Sequence, residues 1–223
     1  MNCLFYHVAL MKNYMPIIIE QLNTISCGDF LSSSENSLNI CITYENKRDK
    51  VKLENNLIQK RNVRINYVGD VREFEYPTLK LLYHEAPKYE NVGYIHTKGL
   101  TSGWHDWRRV MMRYVISEWD YCILLLKHID ICGYELLPIS TLFKNLNRNL
   151  TAKERIEKFF YENSKFFYQG NFWWGKSLKI LSLPNLSDTK YKSRYEAEMW
   201  IGLPSKIKSA YCLKYRKTYK VNE

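Results

Sequence analysis

The sequence predicts a single α/β domain, residues 1–223, with a mixed and mostly parallel central sheet flanked by helices. Short apolar runs alternate with amphipathic stretches along the chain, which is the pattern of consecutive βαβ units. The 223 residues, 46% of them apolar, suffice to bury one substantial core. No internal repeat or low-complexity linker divides the chain, so a split into two domains is not expected.

The N-terminal half is predicted to contain four strands separated by helices. The apolar runs that define the strands cover residues 3–10, 38–44, 63–68 and 92–96. Helices are predicted at residues 14–26, at the charged segment 47–60, and from Pro77 toward Ala86. Proline is common in the first turn of a helix, because its missing N–H would have no helical partner there.

The C-terminal half has a less regular pattern. One long helix is predicted from Trp107 to about His128, with Asp106 as its N-cap. The other predictions are a short helix at 152–159, a strand-like run at 166–174, and helices at 177–183 and 194–201. A basic, tyrosine-rich end follows.

The chain carries 33 Lys and Arg residues against 23 Asp and Glu, a formal net charge of +10. This excess favours an anionic partner, and nucleotides, nucleic acids and membrane surfaces all qualify. Positive charge is denser near the C-terminus, where a solvated basic face is the plain interpretation. The residues concerned are Lys206, Lys208, Lys214, Arg216, Lys217 and Lys220.

The six cysteines are widely spaced, with no Cys-x-x-Cys pair and no zinc-like spacing. Most lie in apolar runs, which favours reduced, buried thiols and a cytoplasmic location. The N-terminus lacks the pattern of a signal peptide. No apolar run approaches the roughly 20 residues needed to cross a bilayer, so any membrane contact is expected to be peripheral.

A polar cluster directly follows the fourth predicted strand. His96, Thr97, Lys98 and Gly99 stand where the strand ends, and Arg108 follows in the next helix. Lysine and arginine suit phosphate oxygens, and glycine lets backbone amides approach an anion closely. The carboxyl edge of an open α/β sheet is also where ligands bind. The cluster predicts a phosphate or sugar site, and the alternative is a basic surface turn.

Two adjacent tryptophans, Trp173 and Trp174, lie in a run flanked by Gly170 and Gly175. In an extended segment their side chains must point to opposite faces. One interpretation buries one ring and lays the other at a cleft wall, where it would hold a sugar ring or a base beside Asn171. The alternative is that both rings pack in the interior.

The predicted helix at 194–201 contains two glutamates, Glu196 and Glu198. Arg194 and Glu198 share a helix face, which favours an intrahelical ion pair. The other interpretation makes one carboxylate a general base that removes a proton from an acceptor hydroxyl.

Five short motifs follow one another along the chain: EYPTL at 75–79, YIHTKG at 94–99, WR at 107–108, GNFWW at 170–174 and EAEMW at 196–200. In this order they resemble a family of GT-A-type glycosyltransferases of bacterial polysaccharide clusters and large DNA viruses. That family includes chlorella-virus enzymes that build glycans on a capsid protein. The similarity covers the chain from about Cys3 to Trp200, and five ordered motifs are more specific than any one.

The resemblance implies a nucleotide-binding half, about residues 1–100, and an acceptor-binding half, about residues 101–223. It implies a nucleoside diphosphate sugar donor, UDP- or GDP-linked, with a glycan or glycoprotein acceptor and no nucleic acid. For a viral enzyme the location would be the host cytoplasm. The base and ribose would lie near the ends of the first three strands, at His7 to Leu10 with Ala9 among them, at Tyr44 and Glu45, and at Gly69 and Asp70.

In most GT-A enzymes an Asp-x-Asp motif holds a divalent metal where this chain has His96, Thr97 and Lys98, and no Asp-x-Asp occurs here. The resemblance therefore favours the cations of His96, Lys98 and Arg108 for stabilising the leaving diphosphate. A divalent metal, Mn²⁺ or Mg²⁺, is the alternative, and no other cofactor is implied. The remaining implied roles are sugar binding by Asn171 with Trp173 or Trp174, and general-base catalysis by Glu198 or, alternatively, Glu196.

Two other classes of function stay open. The positive charge and 15% aromatic content would suit a nucleic-acid-binding module. Against it, the tryptophans lie in localised motifs and do not alternate with Lys and Arg. The other class is a catalytically inactive relative that only binds sugar. Salt-insensitive nucleotide binding excludes the first class, and sugar transfer excludes the second.

Overall fold

A computed structural model of the chain contains an eight-stranded sheet with helices on both faces. It describes residues 1–11, 14–45, 53, 61–97, 105–138, 166–186, 194–203 and 205–221. The strands are β1 (Asn2–Leu10), β2 (Asn36–Tyr44), β3 (Val63–Gly69), β4 (Asn91–His96), β5 (Ile131–Gly133), β6 (Leu136–Pro138), β7 (Phe166–Tyr168), β8 (Trp173–Lys176), β9 (Ser209–Cys212) and β10 (Lys217–Lys220). The helices are α1 (Met15–Cys27), α2 (Tyr76–Glu85), α3 (His105–Met112), α4 (Trp119–Leu126), α5 (Ser177–Ile180) and α6 (Arg194–Met199).

The strand order in the main sheet is β10-β9-β5-β8-β4-β1-β2-β3. Strands β1 to β4 are parallel to one another, and β5 is parallel to β9. Strand β8 is antiparallel to both of its neighbours, and β10 is antiparallel to β9. Strands β6 and β7 form a separate antiparallel pair. The predicted mixed, mostly parallel α/β sheet is therefore confirmed.

The sheet separates two apolar cores. Alternate residues of β1 face opposite sides, so Leu4 and Tyr6 join one core while Cys3 and Phe5 join the other. The first core is covered by α1, α3 and α4, and the second by α2, α5 and α6. Because both faces of β1 are covered, its sequence is nearly continuously apolar, as expected for a central parallel strand.

The predicted elements of the N-terminal half agree with the structure. Each of the four predicted strands is found, with ends shifted by at most two residues. Helix α1 covers the predicted segment, and α2 has Pro77 in its first turn. The helix predicted at 47–60 lies outside the described residues except for Leu53, which is helical and buried.

The long helix predicted from Trp107 to about His128, with Asp106 as its N-cap, is wrong in two respects. Helix α3 ends at Met112, a π-helical turn covers Arg113–Ser117, and α4 begins at Trp119. The Trp174 indole N–H donates to the Val115 carbonyl oxygen at 2.8 Å, so a strand remote in sequence bonds to the π-helical turn. Asp106 lies inside the first turn of α3, because that helix already begins at His105, and it is therefore not the N-cap.

The strand-like run predicted at 166–174 is two strands. Gly170 and Asn171 have positive φ angles of 91° and 54°, and this turn separates β7 from β8. The C-terminal end forms β9 and β10, which were not predicted, and neither were β5 and β6. The short helix predicted at 152–159 lies outside the described residues.

All six cysteines are free thiols, of which Cys27 is exposed and the other five are buried. Among the helices that the structure describes, none combines the length and apolar character needed to cross a bilayer.

Candidate functional site

The carboxyl ends of β1 and β4 lie side by side where the strand order changes direction. From β1 the chain adds β2 and then β3 on one side, and β4 returns on the other side of β1. A change of this kind opens a crevice beyond the strand ends, where ligands bind in open α/β sheets. Ala9 of β1 and Thr97, just after β4, stand at these strand ends, where Thr97 Oγ1 accepts from the Ala9 N–H at 3.0 Å. We call the space expected beyond these strand ends the crevice.

The structure brings most of the predicted nucleotide-binding residues to this edge. Tyr44 ends β2 opposite Leu10, and Glu45 follows it. Asp70 directly follows β3, where its carboxylate accepts from the Arg72 backbone N–H at 2.8 Å. The Arg72 side chain also bonds to this carboxylate and lowers the pKa of Asp70 to about 2. Lys98 lies outside the described residues.

His96, at the end of β4, is held between two oxygen acceptors. Its Nδ1 lies 2.9 Å from Glu75 Oε1, and its Nε2 lies 2.8 Å from the Gly170 carbonyl oxygen. Imidazolium satisfies both contacts because each of its ring nitrogens carries a proton. The side chains of His96 and Glu75 are each 6% exposed, so the two form a buried ion pair.

The Glu75 carboxylate has two further donors. The Tyr94 hydroxyl and the Asn171 side-chain amide each donate to Glu75 Oε2 at 2.7 Å. Burial alone would raise the pKa of Glu75, but the charge and hydrogen bond of His96, followed by His7 and Tyr94, hold it well below its usual range. The carboxylate is therefore ionised and fully bonded.

His7 of β1 lies beside this ion pair, opposite His96 in the strand register. Its Nδ1 is 2.7 Å from the Thr78 hydroxyl oxygen. Burial lowers the pKa of His7 to about 4; the charge of Glu75 raises it in part, and that of His96 lowers it further. His7 is therefore neutral near pH 7.

The Gly170–Asn171 turn connects the ion pair to the two tryptophans. Asn171 Oδ1 accepts from the Trp173 indole N–H at 2.9 Å, while its amide donates to Glu75. Trp173 and Trp174 belong to different cores, so they point to opposite faces as predicted. Both rings are fully buried, which contradicts the interpretation that one lies at a cleft wall. The sugar contacts of Asn171, Trp173 and Trp174 stay predictions.

Arg108 of α3 is almost completely buried, with 1% exposure. Its Nη2 donates to Glu20 Oε2 at 2.8 Å, and Arg109 Nε donates to Glu20 Oε1 at 3.1 Å. Helix α3 is thus tied to α1. In the same region the ring of Trp107 lies beside Gly170, 3.4 Å from where a Cβ on that glycine would stand. The diphosphate contact of Arg108 stays a prediction.

Glu198 lies on α6, where its side chain is half-buried. Burial is the main cause that raises the pKa of Tyr94. The charge and hydrogen bond of Glu75 raise it further, and the charge of Glu198 is a smaller cause. Glu196 is on the same helix, but its side chain lies outside the described part of the chain. The same holds for Arg194, so its predicted ion pair with Glu198 stays a prediction.

Two residues of the network had no role in the sequence interpretation. Glu75 was part of a motif but had no assigned function, although a glutamate beside a Tyr-Pro helix start is a usable signal. Gln21 of α1 belongs to none of the sequence motifs: it is fully buried, donates to the His96 carbonyl oxygen at 3.1 Å and accepts from Tyr6 at 3.0 Å. A lone amide among apolar residues was its signal.

Within the described ranges, no three His, Cys, Asp or Glu side chains are grouped so that they could hold a metal ion. The polar groups of the network bond mainly to one another. The arrangement therefore fixes the end of β4 and the 170–171 turn in one geometry, next to the crevice between β1 and β4.

No protein-family model and no curated protein matches the chain. Solved structures with a similar fold include a protein from Desulfovibrio desulfuricans G20 assigned to the nucleotide-diphospho-sugar transferases, 12% identical with a TM-score of 0.37; the match covers 59% of this chain and 56% of that one. Another is 4-diphosphocytidyl-2C-methyl-D-erythritol synthase from Anaerococcus prevotii, 10% identical with a TM-score of 0.45; the match covers 88% of this chain and 81% of that one. A third is the galactosyltransferase LgtC bound to donor and acceptor sugar analogs, 9% identical with a TM-score of 0.42; the match covers 91% of this chain and 72% of that one. The chain spans about half the length of the first of these, and with TM-scores below 0.5 these similarities carry no argument about this chain.

Proposed function

We propose that the chain is a glycosyltransferase that moves a sugar from a nucleoside diphosphate sugar to a hydroxyl of a growing glycan. The observation that carries the proposal is the convergence of four of the five GT-A-like motifs at the carboxyl end of β4. Glu75 contacts His96 and Asn171, and Trp107 lies beside Gly170, whose carbonyl oxygen accepts from His96. Motifs far apart in sequence that meet beside a ligand-binding crevice support a shared catalytic role.

In this proposal the nucleoside lies along the carboxyl ends of β1, β2 and β3, near Ala9, Tyr44, Glu45 and Asp70. The diphosphate lies beyond Thr97, with Lys98 as its principal cation. A direct phosphate contact from His96 would have to replace one of its two hydrogen bonds. His96 therefore serves mainly to position the end of β4.

The reaction breaks the bond between the sugar's anomeric carbon and the diphosphate, and the nucleoside diphosphate leaves with the bonding electrons. The acceptor oxygen forms the new glycosidic bond and loses its proton to Glu198, with Glu196 as the alternative base. Negative charge grows on the leaving phosphate oxygens, and preorganised cations stabilise it. Mn²⁺ or Mg²⁺ is the alternative source of the stabilising positive charge. The proposed location is the cytoplasm, and the proposed acceptor is a capsid glycan or a surface polysaccharide.

The proposal is tested by binding and transfer measured on the same variants. Titration calorimetry with UDP and GDP should show binding that changes little with salt, whereas binding to single-stranded oligonucleotides should be weak and salt-sensitive. Transfer is assayed from a panel of nucleotide sugars, with and without a chelator to test the metal alternative.

Substitution Glu198→Gln should lower turnover by about 100-fold or more, because a general base contributes that much, while donor binding is unchanged. Lys98→Ala should lose donor binding. Glu90→Gln, an exposed carboxylate away from the crevice, is the matched control and should have neither effect. Full turnover in Glu198→Gln would contradict the assigned base.

A further inference from the structure

The sheet edge opposite the crevice carries lysines grouped around one buried aspartate. Asp130, just before β5, accepts from the Lys208 backbone N–H at 2.7 Å. Its Oδ1 lies 3.4 Å from Lys179 Nζ and 4.0 Å from Lys176 Nζ. Lys179 Nζ also donates to the Lys206 carbonyl oxygen at 2.9 Å. Strand β8 ends here and β5 and β9 begin here, so this edge faces away from the crevice.

Positive charge exceeds negative charge on this edge. Lys127, Lys206 and Lys208 are exposed, and Lys220 stands opposite Ser209 at the end of β10. The described acidic residues of this edge are Asp130, Glu90, which lies 3.9 Å from the N-terminal amine, Glu35 just before β2, and Glu85, which pairs with Lys88 and Arg64. We call this edge the basal surface, defined by Lys127, Lys176, Lys179, Lys206, Lys208 and Lys220.

One large apolar side chain protrudes from the basal surface. Leu178, in the first turn of α5, is 82% exposed and lies in sequence between Lys176 and Lys179. It borders an open groove of about 400 Å³ whose lining also includes Ile123 and Lys127. Leu124, on α4 three residues before Lys127, is 51% exposed. A single exposed leucine is ordinary, but leucines set among lysines give the combination that binds membrane interfaces.

We propose that the basal surface docks on an anionic lipid bilayer, with Leu178 inserted between the headgroups. Charge complementarity carries the choice of partner, because each lysine near an anionic leaflet strengthens binding and the inserted leucine loses its contact with water. Docking would hold the crevice away from the bilayer, open to solvent. This inference is independent of the reaction proposed above.

Co-sedimentation of the full chain with vesicles of phosphatidylserine and phosphatidylcholine tests it, with pure phosphatidylcholine vesicles as the neutral comparison. The wild type should bind the anionic vesicles, and more weakly as salt rises. Lys127→Glu/Lys206→Glu should weaken binding by about 30-fold or more. Leu178→Ser should weaken it by about tenfold. Arg216→Glu/Lys217→Glu, which changes the net charge equally at the far end of β10, is the control and should have little effect.

Circular dichroism and thermal melts establish that each variant is folded. Leu178→Ser should leave binding to a single-stranded oligonucleotide unchanged, because that partner offers no apolar interior. Failure of the wild type to bind anionic vesicles would overturn the proposal. So would equal weakening by the two double variants, or a Leu178→Ser variant that binds vesicles as the wild type does.

Discussion

His96 is the residue whose role differs most from the sequence interpretation. The motif around it predicted a donor to phosphate, whereas the structure uses both of its ring nitrogens inside the protein. A histidine at a strand end indicates a polar site, but the sequence does not indicate which groups accept hydrogen bonds from its ring nitrogens. Those acceptors come from Glu75 and from the Gly170 carbonyl, which are distant in sequence.

Substitution Glu75→Gln should lower the free energy of unfolding by about 3 kcal/mol, because it removes a buried carboxylate that accepts from His96, Tyr94 and Asn171. Urea unfolding at pH 7 measures the change. Glu90→Gln is the control, and as an exposed carboxylate it should cost less than about 0.5 kcal/mol. Equal stability of the two variants would show that the ion pair does not stabilise the fold.

His7 should make stability depend on pH between 6.5 and about 4. Burial lowers the pKa of its folded state from 6.5 to about 4, so the unfolded chain takes up the proton first as the pH falls. The stability due to neutral His7 is therefore complete above 6.5 and is lost on acidification, by about 3 kcal/mol in total. Glu75 loses its contribution only at lower pH, because its pKa is lowered from an already acidic value.

The variant His7→Asn keeps a polar atom near Thr78 but cannot titrate in this range. Its unfolding free energy, measured at pH 7, 6 and 5, should change less with pH than that of the wild type. An unchanged slope would mean that another group takes up the proton.

At the scale of elements, the length of each strand or helix decided whether it could be predicted from the sequence. Strands β1 to β4 and helices α1 and α2 are long enough for a pattern of apolar residues to show. Strands β5 and β6 have three residues each, and β9 and β10 have four. They are too short to show an alternating apolar pattern in the sequence, and they form by pairing with neighbouring strands. The π-helical turn between α3 and α4 likewise depends on Trp174, which bonds to it from β8.

The turn at Gly170 should tolerate no side chain. A Cβ there would overlap the Met111 sulfur, and φ of 91° is costly for any other residue. Gly170→Ala should lower the free energy of unfolding by about 2 kcal/mol and shift the carbonyl that accepts from His96.

Gly28→Ala is the matched control, because Gly28 has an ordinary φ of −78° and its added Cβ would come no closer than 3.3 Å to a neighbouring atom. Thermal melts of both variants give the comparison. A Gly170→Ala protein as stable as Gly28→Ala would show that the turn is not constrained as described.

At the scale of the whole molecule, the sequence predicted which residues stand together at one edge of the sheet but not the side-chain network behind them. The family resemblance placed Ala9, Tyr44 and Asp70 at the ends of three strands, and the parallel pairing of those strands brings them to one edge whatever the packing. Glu75 and Gln21 reach the end of β4 from helices α2 and α1. Their approach depends on how those helices pack on the two faces.

The two ends of the molecule should act independently. The crevice and the basal surface lie at opposite edges of the sheet, and no residue assigned to one belongs to the other. Lys127→Glu/Lys206→Glu should therefore leave nucleotide binding within about twofold of the wild type by calorimetry. A large loss would link the basal lysines to the nucleotide.

The most direct test of the central claim is a crystal structure with a bound nucleoside diphosphate. The diphosphate should lie beyond Thr97 in the crevice between β1 and β4, with the nucleoside along the carboxyl ends of β1 to β3 and the Glu75–His96 ion pair intact beneath it. A nucleotide bound at the basal surface, or an empty crevice at saturating nucleotide, would contradict the account.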